Sequence, residues 1–443
     1  MMRLLERIRR RIVRPGVHHF QGRGKLKGKR IHLRVDSIDK GVLVIDASKM
    51  LLLNRTGIEY SYLILKGLKD EEIVKTILKY YKVPKKQVRE DLKAFESDLY
   101  GALASEEVIA DLEDDLKELY AGQSAPYRMD LALTYRCSND CIHCYNETKE
   151  KTELSSQEWK KVMDRLWDAG IPHVVFTGGE PTLRDDLPDL ISHAEDLGQI
   201  TGMNTNGRRL RDGKYLKLLM DAGLDHVQIT LASHIREVHE RITEAEGSYD
   251  ETLEGIRNCV KSGIYLVTNT TIMEENSDSV LDTISFLRDL GVRHIAVNSL
   301  IRSGRGKKAR GLEVDELCSI LVKGRDMGRL SGFEFRWYSP TPYCRLNPMS
   351  MGLGLKQCSA CRLNMAVEPD GSVIPCQSYY EPLGNVLKDR WRKIWGHELC
   401  RKIRDREEIP KECRGCDLLG VCGGGCPLSW RSGEYTCMNV LSS

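Results

Sequence analysis

The spacing of the cysteines constrains this chain more than any other feature. There are 15 of them in 443 residues, and they fall in groups. Cys413-x2-Cys416-x5-Cys422-x3-Cys426 packs four into one short run, which independent placement would produce in well under roughly 0.1% of shuffled chains. Cys361 is followed by nine residues, Gly371, four more residues and Cys376, and Cys437 stands alone near the end. A zinc ribbon needs only four thiolates, so seven or more point to two sites. Far upstream, Cys137-x3-Cys141-x2-Cys144 has a spacing that chance gives in roughly 2% of shuffled chains. It directly follows Met129–Tyr135, an apolar run that reads as a strand. A loop leaving a strand can wrap its thiolates around one inorganic cluster. Three close thiolates without an obvious fourth suit a cubane with one iron open to a ligand that comes and goes.

Composition agrees with reduced, metal-binding thiols. No apolar stretch approaches the ~18–20 residues that cross a bilayer, and the N-terminus lacks the apolar core of a secretory signal, so the cytoplasm is the expected compartment. Disulfides are rare there. With 41% hydrophobic and 30% charged residues, the chain reads as folded, with length for two or three domains. Its net charge of +3 averages unlike parts, because residues 1–30 hold eleven Lys/Arg and one acid.

Between the cysteine groups the sequence alternates. Trp159, Val162, Met163, Leu166 and Trp167 share one helical face. The strand His173–Thr177 follows and ends in Gly178-Gly179-Glu180-Pro181. Glycines at a strand end let a ligand approach the backbone, and the Glu180 carboxylate can accept hydrogen bonds from an ammonium group. Helix 186–198, strand 200–205 with Asn204-Thr205-Asn206-Gly207, helix 214–222, strand 227–231, helix 250–261, strand 264–272, helix 278–290 and strand 293–299 complete the pattern. Six strands alternating with helices predict a parallel sheet with right-handed crossovers and ligand residues along one rim.

On these residues the chain resembles the radical S-adenosylmethionine (SAM) enzymes. The resemblance implies that Cys137, Cys141 and Cys144 bind a 4Fe–4S cluster whose fourth iron chelates the amino and carboxylate groups of SAM. It also implies that His143 packs near the adenine, that Gly178, Gly179 and Glu180 contact the methionine amino group, and that the fold is α/β, a partial (β/α)6 TIM-like barrel. At the fourth strand many relatives read Ser-Leu-Asp-Gly where this chain has Thr230-Leu231-Ala232-Ser233. Thr230 keeps a hydroxyl for SAM and Ala232 has lost the carboxylate. Asn204 and Asn269 are further expected polar contacts to SAM.

The C-terminal cysteines resemble the SPASM extension of the same enzymes. By that resemblance Cys361, Cys376 and Cys426 hold one auxiliary 4Fe–4S cluster, with Cys358 or alternatively Cys344 as its fourth ligand. Cys413, Cys416, Cys422 and Cys437 hold a second, making three clusters in all. Met365–Cys376 reads as a hairpin turning at Pro369-Asp370-Gly371, and Gly423-Gly424-Gly425 lets the backbone fold tightly beside a cluster. Cys259, Cys318 and Cys400 read as structural thiols.

Near the N-terminus, Ile31, Leu33 and Val35 alternate with His32, Arg34 and Asp36, apolar side inward, and Gly41–Asp46 reads as a second strand. Helices are expected at 55–66, 70–82 and 85–103, the last with a core stripe of Val88, Leu92, Phe95 and Leu99. These elements suggest a winged helix-turn-helix shape. Specific DNA binding is not expected, because residues 31–120 are not markedly basic. Leu51–Gly57, Lys79-Tyr80-Tyr81 and Val88-x2-Asp91-Leu92 resemble the PqqD-like fold, a recognition element for precursor peptides, in which the peptide adds as a strand to a sheet edge.

The expected organisation is therefore a basic tail (1–30), a PqqD-like domain (31–105), an acidic linker (106–127), the SAM barrel (128–335) and a SPASM domain (336–443). The tail, with Leu4, Leu5, Ile8 and Ile12 on one face among arginines, suits an anionic surface. The function implied is SAM cleavage to a 5′-deoxyadenosyl radical that modifies a peptide or protein, with an electron donor such as flavodoxin or ferredoxin as partner. A radical SAM enzyme acting on a small molecule, a tetrapyrrole or a partner enzyme, and a zinc-binding regulator, are the alternatives. No catalytic acid or base stands out beyond the SAM cluster.

Overall fold

The structure is a computed structural model and describes residues 12–22, 26–37, 39–45, 49–104, 122–147 and 152–431. Its backbone divides into two compact units, residues up to Ala125 with Leu166–Pro172, and Pro126–Arg165 with His173 onward.

The first unit is built on an antiparallel sheet in the order β1-β2-β3-β4, comprising Gly16–Gln21, Arg30–Ser37, Lys40–Ile45 and Lys49–Leu53. The central pair was legible from alternation, and its register sets Leu33 opposite Leu43 and Val35 opposite Gly41. β1 lies inside the stretch read as a tail. Gly-Val-His-His-Phe-Gln has no apolar alternation, and the strand is specified by pairing with β2, His18 opposite Leu33. Three helices follow, Arg55–Leu65, Asp70–Tyr80 and Lys85–Ala104, close to the predicted bounds. The first starts where it does because the Asn54 side chain accepts from Gly57 N at 2.9 Å. Ile31, Leu33, Leu43 and Ile58 form one buried cluster with Leu99, and Ile73, Val74, Val88 and Leu92 form another. Each such side chain contributes roughly 1.5–3 kcal/mol by leaving water. The outward placement of His32 and Arg34 is corrected, since both are buried. Arg34 is accommodated by an ion pair to Asp36 at 2.8 Å and a hydrogen bond donated to Ala125 O at 2.9 Å. Residues 1–11 of the basic tail and 105–121 of the linker lie outside the described residues.

The second unit carries a ten-stranded sheet in the order β11-β10-β9-β8-β7-β6-β5-β12-β13-β14. Its parallel centre is β5 (Arg128–Ala132), β6 (His173–Thr177), β7 (Ile200–Thr205), β8 (His226–Thr230), β9 (Tyr265–Ile272) and β10 (His294–Ser299). These are the six expected strands. Leu131, Val174, Phe176, Met203, Val227, Ile229 and Ile295 are fully buried and form the core of this sheet. β5 and β10 are not neighbours, so the barrel is partial. β11 (Glu334–Trp337) extends it beyond β10, while β12 (Asn364–Val367) pairs in parallel with β5 and turns back into β13 (Ser372–Ile374) and the short β14 (Gly384–Asn385). The hairpin turn is the expected one. Gly371 adopts φ 82, and its N–H donates to Glu368 O at 2.9 Å. Among the described residues no helix is long and apolar enough to cross a membrane.

Candidate active site

The segment leaving β5 crosses the carboxyl rim of the barrel and carries Cys137, Cys141 and Cys144. Neighbouring elements hold it from several sides. Asp140 N and Ile142 N donate to Thr243 O and Ile242 O, both at 2.9 Å. Arg208, just past β7, donates to Ser138 O at 2.6 Å and to Asn139 Oδ1 at 2.9 Å, and Asn206 Nδ2 donates to Ser138 Oγ at 2.9 Å. Gly178 and Gly179 press against the start of this loop. A Cβ on Gly178 would sit 2.1 Å from Thr134 O, and one on Gly179 would sit 2.3 Å from Arg136 O. Gly179 N and Glu180 N donate to those same carbonyls, at 2.7 and 2.9 Å. The glycines line the cavity, but what comes close to their backbone is the cysteine loop itself.

Glu180 is 1% exposed and does not line the cavity, and its carboxylate is held from within by four hydrogen bonds, three to Oε1 and one to Oε2. It accepts from Thr182 N at 3.1 Å, Thr182 Oγ1 at 2.6 Å, Thr205 Oγ1 at 2.7 Å and Asn206 N at 2.8 Å. Burial raises its pKa against the lowering effect of those donors. The residue ties the end of β6 to the end of β7.

A cavity of about 1120 Å³ opens on this rim, with Cys137, Cys141 and Cys144 on its lining together with Cys358, Cys376 and Cys426. Asn204, Thr230 and Asn269 line it as the sequence expected, and so do Gln228 and Asn298, which it did not single out. Asn269 Nδ2 donates to Asn298 Oδ1 at 2.8 Å, while Asn269 Oδ1 is buried with no hydrogen-bond partner. His143 also lines the cavity, and its Nδ1 is buried with no hydrogen-bond partner. Burial first, and the Arg305 charge second, lower its pKa to about 4, so the ring is neutral. An apolar-faced neutral ring, unfilled acceptors and three thiols fit a 4Fe–4S cluster with SAM. Among the described residues no three His, Cys, Asp or Glu side chains converge on a single-ion site, and thiolates that bind separate irons of one cubane need not converge.

In the second group, Cys358, Cys376 and Cys426 are neighbours on the cavity lining. Burial and then Cys426 push the Cys358 thiol up to about 12, and burial and then Cys358 raise that of Cys376 as well. A set of buried thiols that resist losing their protons suits ligation by a compensating cation. Cys361, expected with them, is not on that lining. Its backbone is left-handed, with φ 53, and its sulfur is paired with that of Cys400, with 5.4 Å between Cα atoms. Cys400, read as a lone structural thiol, is thus its partner. Cys344 is exposed and does not line the cavity. Cys413, Cys416 and Cys422 sit on successive tight turns, with Cys416 N donating to Cys413 O at 3.2 Å and Cys422 N to Leu418 O at 2.7 Å. Gly423, Gly424 and Gly425 all have positive φ, at 70, 82 and 76. Cys437 lies outside the described residues. Cys259 is buried in the helix Ser248–Ser262, and Cys318 is half-buried in the helix Val314–Ser331.

Sequence reasoning missed a layer of tyrosines between the two cysteine groups. Tyr145 donates to Gln377 Oε1 at 2.6 Å, Tyr135 to Glu368 Oε1 at 3.1 Å and Tyr380 to Asn146 Oδ1 at 3.1 Å. The available signal was adjacency, since Tyr145 directly follows Cys144 and Gln377 directly follows Cys376.

Comparison with known proteins bears on the same segments. The radical SAM superfamily matches residues 131–287, and SPASM, an iron–sulfur cluster-binding domain, matches residues 358–417. An Fe-coproporphyrin III synthase of Methanosarcina barkeri is 29% identical over 66% of this chain and 81% of its own. A PqqA peptide cyclase of Granulibacter bethesdensis is 26% identical over 66% and 80%. In fold, the chain is similar to SuiB of Streptococcus suis bound to its precursor peptide SuiA, with a TM-score of 0.67 and 16% identity over 90% of this chain and 94% of that one. The two domain matches fall on the two cysteine groups that one cavity brings together, and the chain is an iron–sulfur radical SAM enzyme with 4Fe–4S clusters and SAM as its cofactors.

Proposed function

We propose that the protein modifies a ribosomally made peptide or protein, bound through a PqqD-like module spanning residues 31–105, at a centre between the two cysteine groups. The observation that supports this most directly is the N-terminal unit itself, an antiparallel sheet with three helices. It sits in a chain whose likeness to a peptide-bound relative extends over 90% of its length. β1 and β4 are edge strands, and an extended peptide can add to such an edge through main-chain hydrogen bonds.

When bound, a reduced 4Fe–4S cluster and SAM supply a 5′-deoxyadenosyl radical. Cys137, Cys141 and Cys144 would hold that cluster, Cys358, Cys376 and Cys426 a first auxiliary cluster, and Cys413, Cys416, Cys422 and Cys437 a second. His143 offers a neutral face to the adenine, and Asn204, Thr230 and Asn269 offer polar contacts to SAM. The tyrosine layer keeps the cysteine loop and the hairpin in fixed relation. A flavodoxin or ferredoxin donates the electron, the setting is cytoplasmic, and the basic tail meets an anionic surface.

The similarity to an Fe-coproporphyrin III synthase favours a tetrapyrrole as the second reading. The two separate cleanly in hydrogen exchange on the reconstituted full chain. A precursor peptide should protect amides of β1 or β4 and stimulate 5′-deoxyadenosine formation. No protection in residues 16–104, with stimulation by Fe-coproporphyrin III instead, would overturn the peptide reading.

A further inference from the structure

The loop that follows β10 is shaped to lie on the cysteine loop. Gly304 has φ 51, and a Cβ there would sit 2.4 Å from Asn146 O and 2.7 Å from Cys144 O. At Gly306 a Cβ would sit 2.3 Å from Ile301 O and 3.2 Å from His143 O, and Gly306 N donates to Cys144 O at 3.2 Å. Two glycines, each with backbone within 3 Å of where a Cβ would stand, therefore flank one side chain, Arg305. Its guanidinium pairs with Asp140, lies 3.8 Å from Glu244 and lines the cavity beside Cys141 and Cys144. Its charge acts on Cys144, Cys141 and His143. Arg208, on the other side of the loop, directs its donors to Ser138 O, Asn139 and Glu251 instead.

We propose that Arg305 is a positioning residue that raises the reduction potential of the cluster held by Cys137, Cys141 and Cys144. With three thiolates, a 4Fe–4S centre carries one net negative charge when oxidised and two after it takes one electron from an external one-electron donor such as dithionite or a reduced flavodoxin. A guanidinium stays protonated at any working pH, and beside Cys144 it stabilises the more negative state more than the less negative one. The opposing carboxylates do not cancel it. The Asp140 and Glu244 side chains are 72% and 52% exposed, whereas that of Arg305 is 31% exposed, so water screens the carboxylates more strongly. The proposal rests on the enzyme class alone and is independent of what the substrate is.

The test is an EPR-monitored redox titration of the reconstituted full chain, in which the signal that changes on adding SAM identifies this cluster among the others. Arg305→Gln should shift the midpoint of that signal to lower potential and leave the remaining signals in place, and Arg305→Lys should recover part of the shift. Wild-type potential in an Arg305→Gln protein of wild-type iron content would overturn the proposal, including the case where only SAM affinity falls and Arg305 is a contact to the SAM carboxylate. If that variant loses iron, Arg305→Gln is made in an Asp140→Asn background, where two amides can hydrogen-bond and keep the loop closed. Compared with Asp140→Asn alone, the pair should again titrate at lower potential, and equal values would overturn the assignment.

Discussion

At Gly178 the backbone has φ 139, and the missing Cβ would lie 2.1 Å from Thr134 O. Gly178→Ala should therefore cost roughly 2–5 kcal/mol through strain and overpacking together. It should appear as a lower melting temperature of the apoprotein and fewer irons per chain, because the cysteine loop is lifted from its seat. Glu180→Gln puts an amide where four donors converge. It should cost roughly 1–3 kcal/mol while leaving SAM affinity unchanged at equal iron content, and a selective loss of SAM affinity would restore the ammonium role. Cys361→Ala should keep wild-type iron, whereas Cys358→Ala should lose about four atoms per chain, one cubane's worth. The Gly-Gly-Glu signature located the rim correctly, but spacing alone does not reveal which groups a carboxylate meets once strands close on it. Nor does it show that Cys361 stands in left-handed backbone, with φ 53, beside Cys400.

Among the elements, the six barrel strands were legible because each carries a buried apolar core, such as Val174–Phe176 or Val227 with Ile229, and alternates with helices along the chain. β1 was not, since its only specification is the partner strand. The barrel's other end shows a second kind of invisible determinant. His173 Nε2 and His226 Nε2 lie 2.9 Å apart, on β6 and β8, and between them β7 carries Gly202, where a Cβ would come within 2.1 Å of the His226 ring. Burial first, and then the Arg128 charge, lower the His226 pKa from 6.5 to about 4. As pH falls through that window the unfolded chain takes up a proton that the folded chain refuses, so stability should drop between pH 6.5 and about 4. Urea unfolding of the apoprotein should show this slope, and His226→Gln should reduce it while the similarly lowered His143 and His239 keep the rest. An unchanged slope would mean that another group controls it.

On the scale of the whole molecule, the cysteine inventory makes a numerical claim. Three cubanes require about twelve irons per chain, and a Cys413→Ala/Cys416→Ala protein should retain about eight and remain brown. A wild-type chain holding about four would overturn the two-cluster reading of the C-terminal region. The sequence told which cysteines belong to which segment, but not that one cavity would be lined by both groups, because that depends on a strand pairing between residues more than two hundred positions apart. β12 lies parallel to β5 with Met365 opposite Met129 and Val367 opposite Leu131. One of these strands runs on to Cys137, and the other turns through its hairpin to Cys376. The gap between the two redox centres is thus measured out by main-chain hydrogen bonds in steps of about 3.3 Å per residue, and a slip of a single residue would turn every side chain of β12 to the opposite face. The sheet serves this protein as a ruler that sets one cysteine group against the other.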